Sequence, residues 1–151
     1  MPSSSAIPLE FDENGVCSGC NTSSQKTEID WVRRKKQLQN LLEQYKDINN
    51  SNYDCIIPVS GGKDSYFQVH IIKNIFNMNP LLVTYNANNW TKTGYENLQN
   101  MREAFGCDHV FFTPSIDLIK RMNRIGFKLM GDMNWHGHSG MNTYPFIVAV
   151  E

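Results

Sequence analysis

A short apolar run that breaks at two glycines and then continues with helical spacing lies in the middle of this chain. Cys55–Val59 (CIIPV) forms the run, and a short apolar run bounded by turn residues is typical of a buried strand. Ser60-Gly61-Gly62 interrupts it, and beyond Lys63 the apolar residues recur at a helical period. The order of strand, glycine turn and helix predicts an α/β unit around which the rest of the chain packs.

The predicted turn has the chemistry of a phosphate site. Backbone N–H groups at a helix N-terminus have no partner within the helix, and the helix dipole favours negative charge there. Gly61 and Gly62 allow positive φ and a close approach of the backbone to a ligand. Lys63 supplies a point charge suited to phosphate, and Ser65 supplies a hydroxyl donor. Asp64 is suited either to capping the helix or to helping hold a metal ion.

Two common phosphate-binding motifs do not fit this turn. A Walker loop has a glycine where Ile57 stands and a Ser or Thr where Asp64 stands, and the chain contains no G-x-G-x-x-G. The string Ser60–Ser65 (SGGKDS) resembles instead the pyrophosphatase loop of the ATP-pyrophosphatase superfamily. Members of that superfamily cleave ATP between the α and β phosphates. An ordinary glycine turn between a strand and a helix is the alternative.

Composition limits the compartment and the partners. The 151 residues are enough for one domain with one core, and a net charge of −1 argues against a dedicated nucleic-acid binder. No signal-peptide pattern and no segment of membrane-spanning length are present. The four cysteines do not form a disulfide framework, so a cytoplasmic, reducing setting is expected.

Three segments are predicted along the chain. Residues 1–26 form a partial knuckle in which Cys17 and Cys20 are spaced as half of a tetrahedral zinc site, with two incidental loop thiols as the alternative. Residues 27–52 form a helix, from about residue 28 to residue 47, and a polar linker. Thr27 and Asp30 approximate a capping box for this helix. Residues 53–151 form an ATP-binding domain.

The third segment alternates strands with helices, which predicts a parallel sheet with right-handed crossovers. Leu81–Tyr85 and Val110–Phe112 are its further predicted strands. Ligands of such sheets bind beyond the carboxyl ends of the strands. Residues 60–65, 86–90 and 113–115 are therefore expected around one crevice. Tyr85 is placed to face the nucleotide there, although an aromatic residue at a strand end is as often simply packed.

The remaining helices are predicted from their caps. Thr93 opens a full capping box with Glu96, and Ser115 caps the following helix. Gly131–Asn142 is predicted to be a loop that carries His136 and His138, and Thr143-Tyr144-Pro145 is predicted to start a last helix.

The two histidines of the predicted loop leave three alternatives open. They bind a metal ion together, or one imidazole lies near the substrate as an acid or base, or both simply pack within the loop.

Taken together, the motifs look like the N-acetyl sugar amidotransferases of lipopolysaccharide O-antigen and related surface-sugar synthesis. The resemblance runs over nearly the whole chain and is carried by Phe11-Asp12-Glu13-x-Gly15-x-Cys17-x-x-Cys20, by Asp54–Ser65, by Gly131-Asp132 with Trp135-His136, and by Pro145 with Ala149-Val150. It implies a Rossmann-like, three-layer α/β/α fold of the adenine nucleotide α-hydrolase type.

The resemblance also implies a reaction. Family members use ATP and Mg²⁺ to adenylate the acetamido oxygen of a nucleotide sugar, and ammonia from a separate glutaminase then displaces AMP to leave an acetamidino group. Lys63, Asp64 and His136 are the implied catalytic residues, and Cys17 and Cys20 the implied zinc ligands. ATP is expected to contact Tyr85 and the loop residues Ser60, Gly61, Gly62, Lys63, Asp64 and Ser65.

The chain departs from the family pattern at both ends. Family members carry another Cys-x-x-Cys shortly before a pair like Met1-Pro2, and they run well beyond the position of Glu151. A chain truncated at both ends, with two zinc ligands missing, is therefore expected. A tRNA-thiolating enzyme with the same kind of loop and a non-catalytic nucleotide-binding module are the rival functions.

Overall fold

The computed structural model of the protein describes residues 9–47, 52–87 and 90–151. The pair Met1-Pro2, most of the predicted linker (residues 48–51) and two residues of the predicted 86–90 loop (88 and 89) lie outside these ranges. The chain forms two compact units, Met1–Asn40 and Leu41–Glu151.

The first unit contains a tight hairpin followed by helices. Phe11 and Cys17 pair as an antiparallel bridge, and helix α1 (Ser18–Gln25) starts directly after it. This helix was not predicted, because its polar sequence has no apolar stripe. Helix α2 (Trp31–Glu43) begins in the same unit and is shorter than predicted.

The predicted capping box of α2 is wrong at its first member. Asp30 Oδ1 accepts a hydrogen bond from Arg33 N at 2.9 Å, so Asp30 itself caps the helix. Thr27 Oγ1 instead donates to Ser24 O at 2.7 Å and closes the turn after α1. Helix α2 therefore begins one residue after Asp30 rather than near residue 28.

The second unit is built on a parallel sheet of three described strands, β1 (Cys55–Pro58), β2 (Pro80–Tyr85) and β3 (His109–Phe112). The strand order is β1-β2-β3, with Ile57 beside Leu82 and Leu82 beside His109. Each strand lies where the apolar runs predicted it, and the parallel arrangement is confirmed.

Helices cover both faces of this sheet. On one face, Ile57 and Leu82 form a core with α3 (Lys63–Val69), the π-helical segment His70–Ile75 that continues it, and α4 (Lys92–Phe105). Leu98 and Met101 of α4 are fully buried there. The other face is covered by α6 (Trp135–Val150), and α5 (Ile116–Met130) packs on α6. The three-layer α/β/α fold predicted for this chain is confirmed.

Helix α6 replaces the loop predicted for Gly131–Asn142, and that prediction is wrong. Gly131, with φ 70°, ends α5, and only a few residues separate it from α6. Glycines disfavour an isolated helix, but two of them are required here by packing. A Cβ on Gly140 would overlap the Tyr85 ring, and a Cβ on Gly137 would lie 2.9 Å from Ala87 Cβ. Tertiary packing against β2 therefore stabilises a helix that sequence propensity does not predict.

The last helix also starts earlier than its proline suggested. Residues Phe146–Val150 are helical as predicted, but Pro145 lies inside α6 rather than in its first turn. Thr143 does not cap the helix, because its Oγ1 donates to Ser139 O at 2.8 Å. Both corrections follow from the missed first half of α6.

Of two further predicted helix caps, one is wrong and one is confirmed. The cap of α4 is Thr91, whose Oγ1 accepts from Gly94 N at 3.1 Å, so the capping box predicted at Thr93 is wrong. Ser115 does cap α5, with Oγ 3.3 Å from Leu118 N, as predicted. Among the described helices, none is long and apolar enough to cross a bilayer.

Candidate functional site

The predicted phosphate loop, Ser60–Ser65, connects the carboxyl end of β1 to α3 and includes the first turn of that helix. The ladder ends where Val59 N donates to Val83 O at 2.9 Å, and the chain then turns through Gly61 with φ 73°. A Cβ on Gly61 would lie 3.0 Å from the backbone nitrogen of Leu98, so the loop runs directly against α4. Both the left-handed backbone and the close approach require glycine at this position.

The N-terminus of α3 carries no side-chain cap from the described residues. Gly62 occupies the N-cap position with an extended backbone and contributes no side-chain hydrogen bond. Asp64 lies in the first turn and does not cap the helix, so that alternative for Asp64 is wrong. Backbone N–H groups of the first turn are therefore left to bind water or an anion.

Lys63 and Asp64 form an ion pair at the mouth of the loop. Lys63 Nζ lies 2.7 Å from Asp64 Oδ1, and the two side chains are 89% and 82% exposed. An exposed pair of this kind contributes little to stability, because water and salt screen it. The ammonium is therefore free to leave the carboxylate for an anionic ligand, and the carboxylate is free to leave the ammonium for a metal ion.

Ser65 braces the loop from within. It is buried, its Oγ accepts from Ser60 N at 3.0 Å, and it lies 3.3 Å from Ser60 Oγ. One of the two acceptor sites of its hydroxyl is thus occupied by the loop backbone. The predicted contact of Ser60 and Ser65 with ATP stays a prediction.

A cavity of about 280 Å³ lies beside the loop, and its lining includes Ser60, Tyr85, Ala87, Trp90 and Thr91. A second cavity, of about 170 Å³, is also lined by Ser60, Tyr85 and Trp90. The structure therefore brings the start of the phosphate loop together with the carboxyl end of β2, as the sheet topology predicts.

Tyr85 is both a lining residue and a packed one. Its ring centroid lies 5.8 Å from that of Phe112 and 6.2 Å from that of Tyr144, and Gly140 lies against its ring. Burial raises the pKa of its phenol, so the hydroxyl stays protonated at neutral pH. The third predicted segment, Thr113–Ser115, is linked to the second by Asn86 Nδ2, which donates to Thr113 Oγ1 at 3.2 Å.

The structure separates the two histidines. His136 is 5% exposed, and neither ring nitrogen has a hydrogen-bond partner among the described residues, whereas His138 lies exposed on the same helix. Residues two apart on a helix point to opposite sides, so joint metal binding by this pair is wrong. His136 is not among the described residues that line the two cavities, and its role toward substrate stays a prediction.

The knuckle of the first unit is organised around Asp12 and Cys17. Asp12 Oδ1 accepts from Asn14 N and Val16 N, both at 2.9 Å, and Asp12 Oδ2 accepts from Asn21 Nδ2 at 2.9 Å. Cys17 caps α1, and its Sγ accepts from Cys20 N at 3.4 Å. That hydrogen bond lowers the pKa of the Cys17 thiol, which favours the thiolate that a zinc ion requires.

Cys17 and Cys20 offer two of the four ligands that a structural zinc ion takes. Across residues 9–47, 52–87 and 90–151, no group of three or more His, Cys, Asp or Glu side chains lies together. A structural zinc ion takes four ligands, so the donor chemistry of Cys17 and Cys20 fits the metal while their number does not.

We therefore expect the chain to bind Zn²⁺ weakly through Cys17 and Cys20. A competing chromophoric chelator should remove the metal from the monomer. Without chelator, Cys17→Ser should abolish the weak zinc binding, whereas Cys107→Ala, which changes a buried thiol elsewhere, should leave it unchanged. Retention of one equivalent of zinc by the monomer against the chelator would show that further ligands complete the site.

The other two cysteines have the opposite chemistry. Burial raises the pKa of Cys55 to about 11, and burial also raises the pKa of Cys107. Both thiols are therefore protonated at neutral pH and are poor nucleophiles.

Sequence reasoning missed two contributors to the site. Met141 of α6 lines both cavities, and it was missed because the first half of α6 was predicted as a loop. Thr84 is 3% exposed and its Oγ1 donates to Val59 O at 2.6 Å, at the entrance to the phosphate loop. A polar residue within the apolar strand sequence LLVTY is the signal that marks it.

No protein-family model matches the chain. The chain is similar to an uncharacterised protein of Methanocaldococcus jannaschii, with 28% identity over 100 residues that cover 66% of this chain and 35% of that protein. It is also similar to the structure of the NH₃-dependent NAD synthetase of Campylobacter jejuni in complex with the nitrate ion. The TM-score is 0.42 and the identity 15%, over 66% of this chain and 41% of the synthetase. The chain thus spans about a third of the first protein and about two fifths of the second.

Proposed function

We propose that this chain carries the ATP site of an AMP-forming amidotransferase of the ATP-pyrophosphatase type, which acts on the acetamido group of a nucleotide sugar. The observation that carries the proposal is the geometry of Ser60–Ser65. A left-handed Gly61 turn follows a parallel strand, the first turn of α3 lacks a side-chain cap, and Lys63 stands exposed beside it. The cavity lined by Tyr85 and Trp90 adjoins this loop and offers aromatic faces to a base.

In this proposal the loop binds the β and γ phosphates, which leave together. The N–H groups of the first turn of α3 and the Lys63 ammonium stabilise the charge that develops on pyrophosphate, where transition-state stabilisation acts. Lys63 reaches the phosphates by exchanging its contact with Asp64. Asp64 would hold a Mg²⁺ ion, which neutralises phosphate charge when bound.

The chemical step joins the substrate oxygen to the α phosphorus. The acetamido oxygen forms a bond to that phosphorus as the bond to the β-phosphate oxygen breaks, and pyrophosphate leaves with its electron pair. Ammonia then adds to the activated carbon, AMP leaves with the C–O bond electrons, and loss of a proton gives the acetamidino group. An amide oxygen is a weak nucleophile, so the site must supply the positioning.

The source of ammonia is a separate glutaminase in this proposal. A glutaminase of the cysteine type needs an activated thiolate. Cys55 and Cys107 are protonated by burial, and Cys17 and Cys20 form the knuckle in the first unit. Burial therefore leaves neither Cys55 nor Cys107 suited to glutamine hydrolysis.

The burial of Cys55 and Cys107 disfavours the tRNA-thiolating alternative. That reaction needs reactive thiols that face the phosphate loop, and the net charge of −1 offers no basic excess for RNA. A non-catalytic nucleotide-binding module is disfavoured by the exposed Lys63-Asp64 pair, because nucleotide binding alone does not require a mobile charge at the pyrophosphate position.

Product analysis tests the proposal. The protein is incubated with ATP, Mg²⁺, ammonium and either an N-acetyl nucleotide sugar, tRNA or no acceptor, and ATP–pyrophosphate exchange is measured in parallel. We expect AMP and pyrophosphate in equal amounts, and an amidine on the sugar, only with the sugar. ADP and phosphate would refute the pyrophosphatase assignment, and AMP formation that depends on tRNA would support the thiolation alternative.

A further inference from the structure

The peptide unit that joins β1 to the phosphate loop is held at both ends by side chains. Its carbonyl, Val59 O, accepts from Thr84 Oγ1 at 2.6 Å. Its amide, Ser60 N, donates to Ser65 Oγ at 3.0 Å. One bond comes from the neighbouring strand and the other from the helix that follows the loop. Together they fix the plane of this peptide, and hence the direction in which the chain enters the loop.

Thr84 is itself held by a residue of β3. His109 Nε2 lies 2.9 Å from Thr84 Oγ1. Because the threonine hydroxyl proton is directed to Val59 O, the shared proton must come from Nε2, so His109 donates and Thr84 accepts. The ring of Phe111 stands edge-on to the imidazole, with centroids 6.0 Å apart, and restricts its rotation. The three strands are thus linked by one chain of hydrogen bonds.

Burial shields this series of hydrogen bonds from bulk solvent. Thr84 is 3% and Val59 6% exposed, and both line the 170 Å³ cavity, so a lost hydroxyl leaves the carbonyl without a side-chain donor among the described residues. The peptide is then no longer held by Thr84 and is free to rotate. Rotation carries the Ser60 N–H away from Ser65 Oγ and moves the start of the loop.

We propose that Thr84, oriented by His109, is a positioning residue for the phosphate loop. Its hydroxyl locks the Val59–Ser60 peptide so that the N–H groups after Gly61 converge on the pyrophosphate end of the ligand. The identity of that ligand rests on the proposed function, whereas the hydrogen-bond chain does not.

The first experiment needs no ligand. Amide hydrogen exchange of Ser60 is followed by NMR in the unchanged chain, in Thr84→Val and in Thr84→Ser. We expect Thr84→Val to accelerate exchange at Ser60 by about tenfold or more, and Thr84→Ser to restore the slow rate, since it keeps the hydroxyl. Tyr53→Phe removes the 2.7 Å bond to Asp108 Oδ2 elsewhere in the unit, and should leave Ser60 unchanged.

His109→Phe serves as the second variant, because it keeps an aromatic ring and leaves the threonine in place. It should accelerate Ser60 exchange less than Thr84→Val does, and it keeps the test valid if Thr84→Val does not fold. Unchanged Ser60 exchange in every variant that folds would overturn the proposal.

The second experiment measures binding and turnover in the same variants. Thr84→Val should weaken binding of inorganic pyrophosphate and lower kcat in pyrophosphate exchange by about tenfold, with a smaller effect on the KM for ATP, and Thr84→Ser should recover both. Faster Ser60 exchange with unchanged pyrophosphate binding would refute the positioning role. If the unchanged protein shows no exchange activity, the proposed function fails, and pyrophosphate binding by the variants still decides the role of Thr84.

Discussion

Lys63→Ala is expected to lower turnover by roughly a hundredfold or more while changing the affinity for ATP much less. The lysine is exposed and paired only with its neighbour Asp64 before the nucleotide binds, so its removal costs the free protein almost nothing. Its positive charge becomes valuable when the bond between the α and β phosphates breaks and charge accumulates on pyrophosphate. An interaction that strengthens in the transition state raises kcat rather than binding.

Steady-state kinetics of ATP–pyrophosphate exchange measures this effect. Lys120→Ala removes an exposed lysine from α5, on the opposite face of the sheet from α3, and should leave both kcat and KM unchanged. Lys63→Arg keeps the charge but replaces a compact ammonium with a planar fork, so partial recovery is expected. A tenfold or greater rise in KM with an unchanged kcat would show that Lys63 acts in the ground state, and would contradict the role proposed for it.

The elements that the sequence predicted well are those whose signal is local. The strands β1, β2 and β3 are short apolar runs between turn residues, and each lies where its run predicted it. The glycine turn was also predictable, because a backbone with positive φ favours glycine, and Gly61 has φ 73°. The parallel order of the sheet followed from alternation with helices, because parallel neighbours need a crossover.

The elements that the sequence did not predict depend on partners far along the chain. The first half of α6 contains glycines that weaken a helix in isolation, yet Gly140 is what allows this helix to lie against the Tyr85 ring. Neither segment alone predicts the contact between Gly140 and the Tyr85 ring. The same limit applies to Thr91, which was chosen over Thr93 as the cap of α4 because the helix begins earlier.

The candidate site shows the same division. The residues of the phosphate loop were predicted from their own spacing, but their internal contacts were not. The sequence predicts that Ser65 donates to the ligand, but it does not predict that Ser65 Oγ also accepts a hydrogen bond from Ser60 N. The link from His109 through Thr84 to Val59 joins three strands, so no sequence window contains it.

Gly61→Ala is expected to destabilise the second unit by about 2 kcal/mol or more, and Gly62→Ala, one residue later, is not. At Gly61 the backbone has φ 73°, which costs a residue with a Cβ roughly 1–2 kcal/mol. The added methyl group would also lie 3.0 Å from the backbone nitrogen of Leu98, which cannot move without shifting α4. At Gly62 the backbone is extended with φ −80°, and the nearest atom, Ser60 Oγ, would be 3.6 Å away.

Urea unfolding followed by circular dichroism measures both variants against the unchanged chain. The midpoint for Gly61→Ala should fall clearly, while that for Gly62→Ala should fall by about 1 kcal/mol or less when converted to free energy, because alanine is a poorer N-cap than glycine. The two variants add the same atoms to adjacent residues, and the capping preference at Gly62 lowers the stability of Gly62→Ala alone, so a larger loss in Gly61→Ala must come from its own position. Equal stability would mean that the turn is not held in the left-handed conformation against α4, and the anion site that depends on this turn would lose its structural basis.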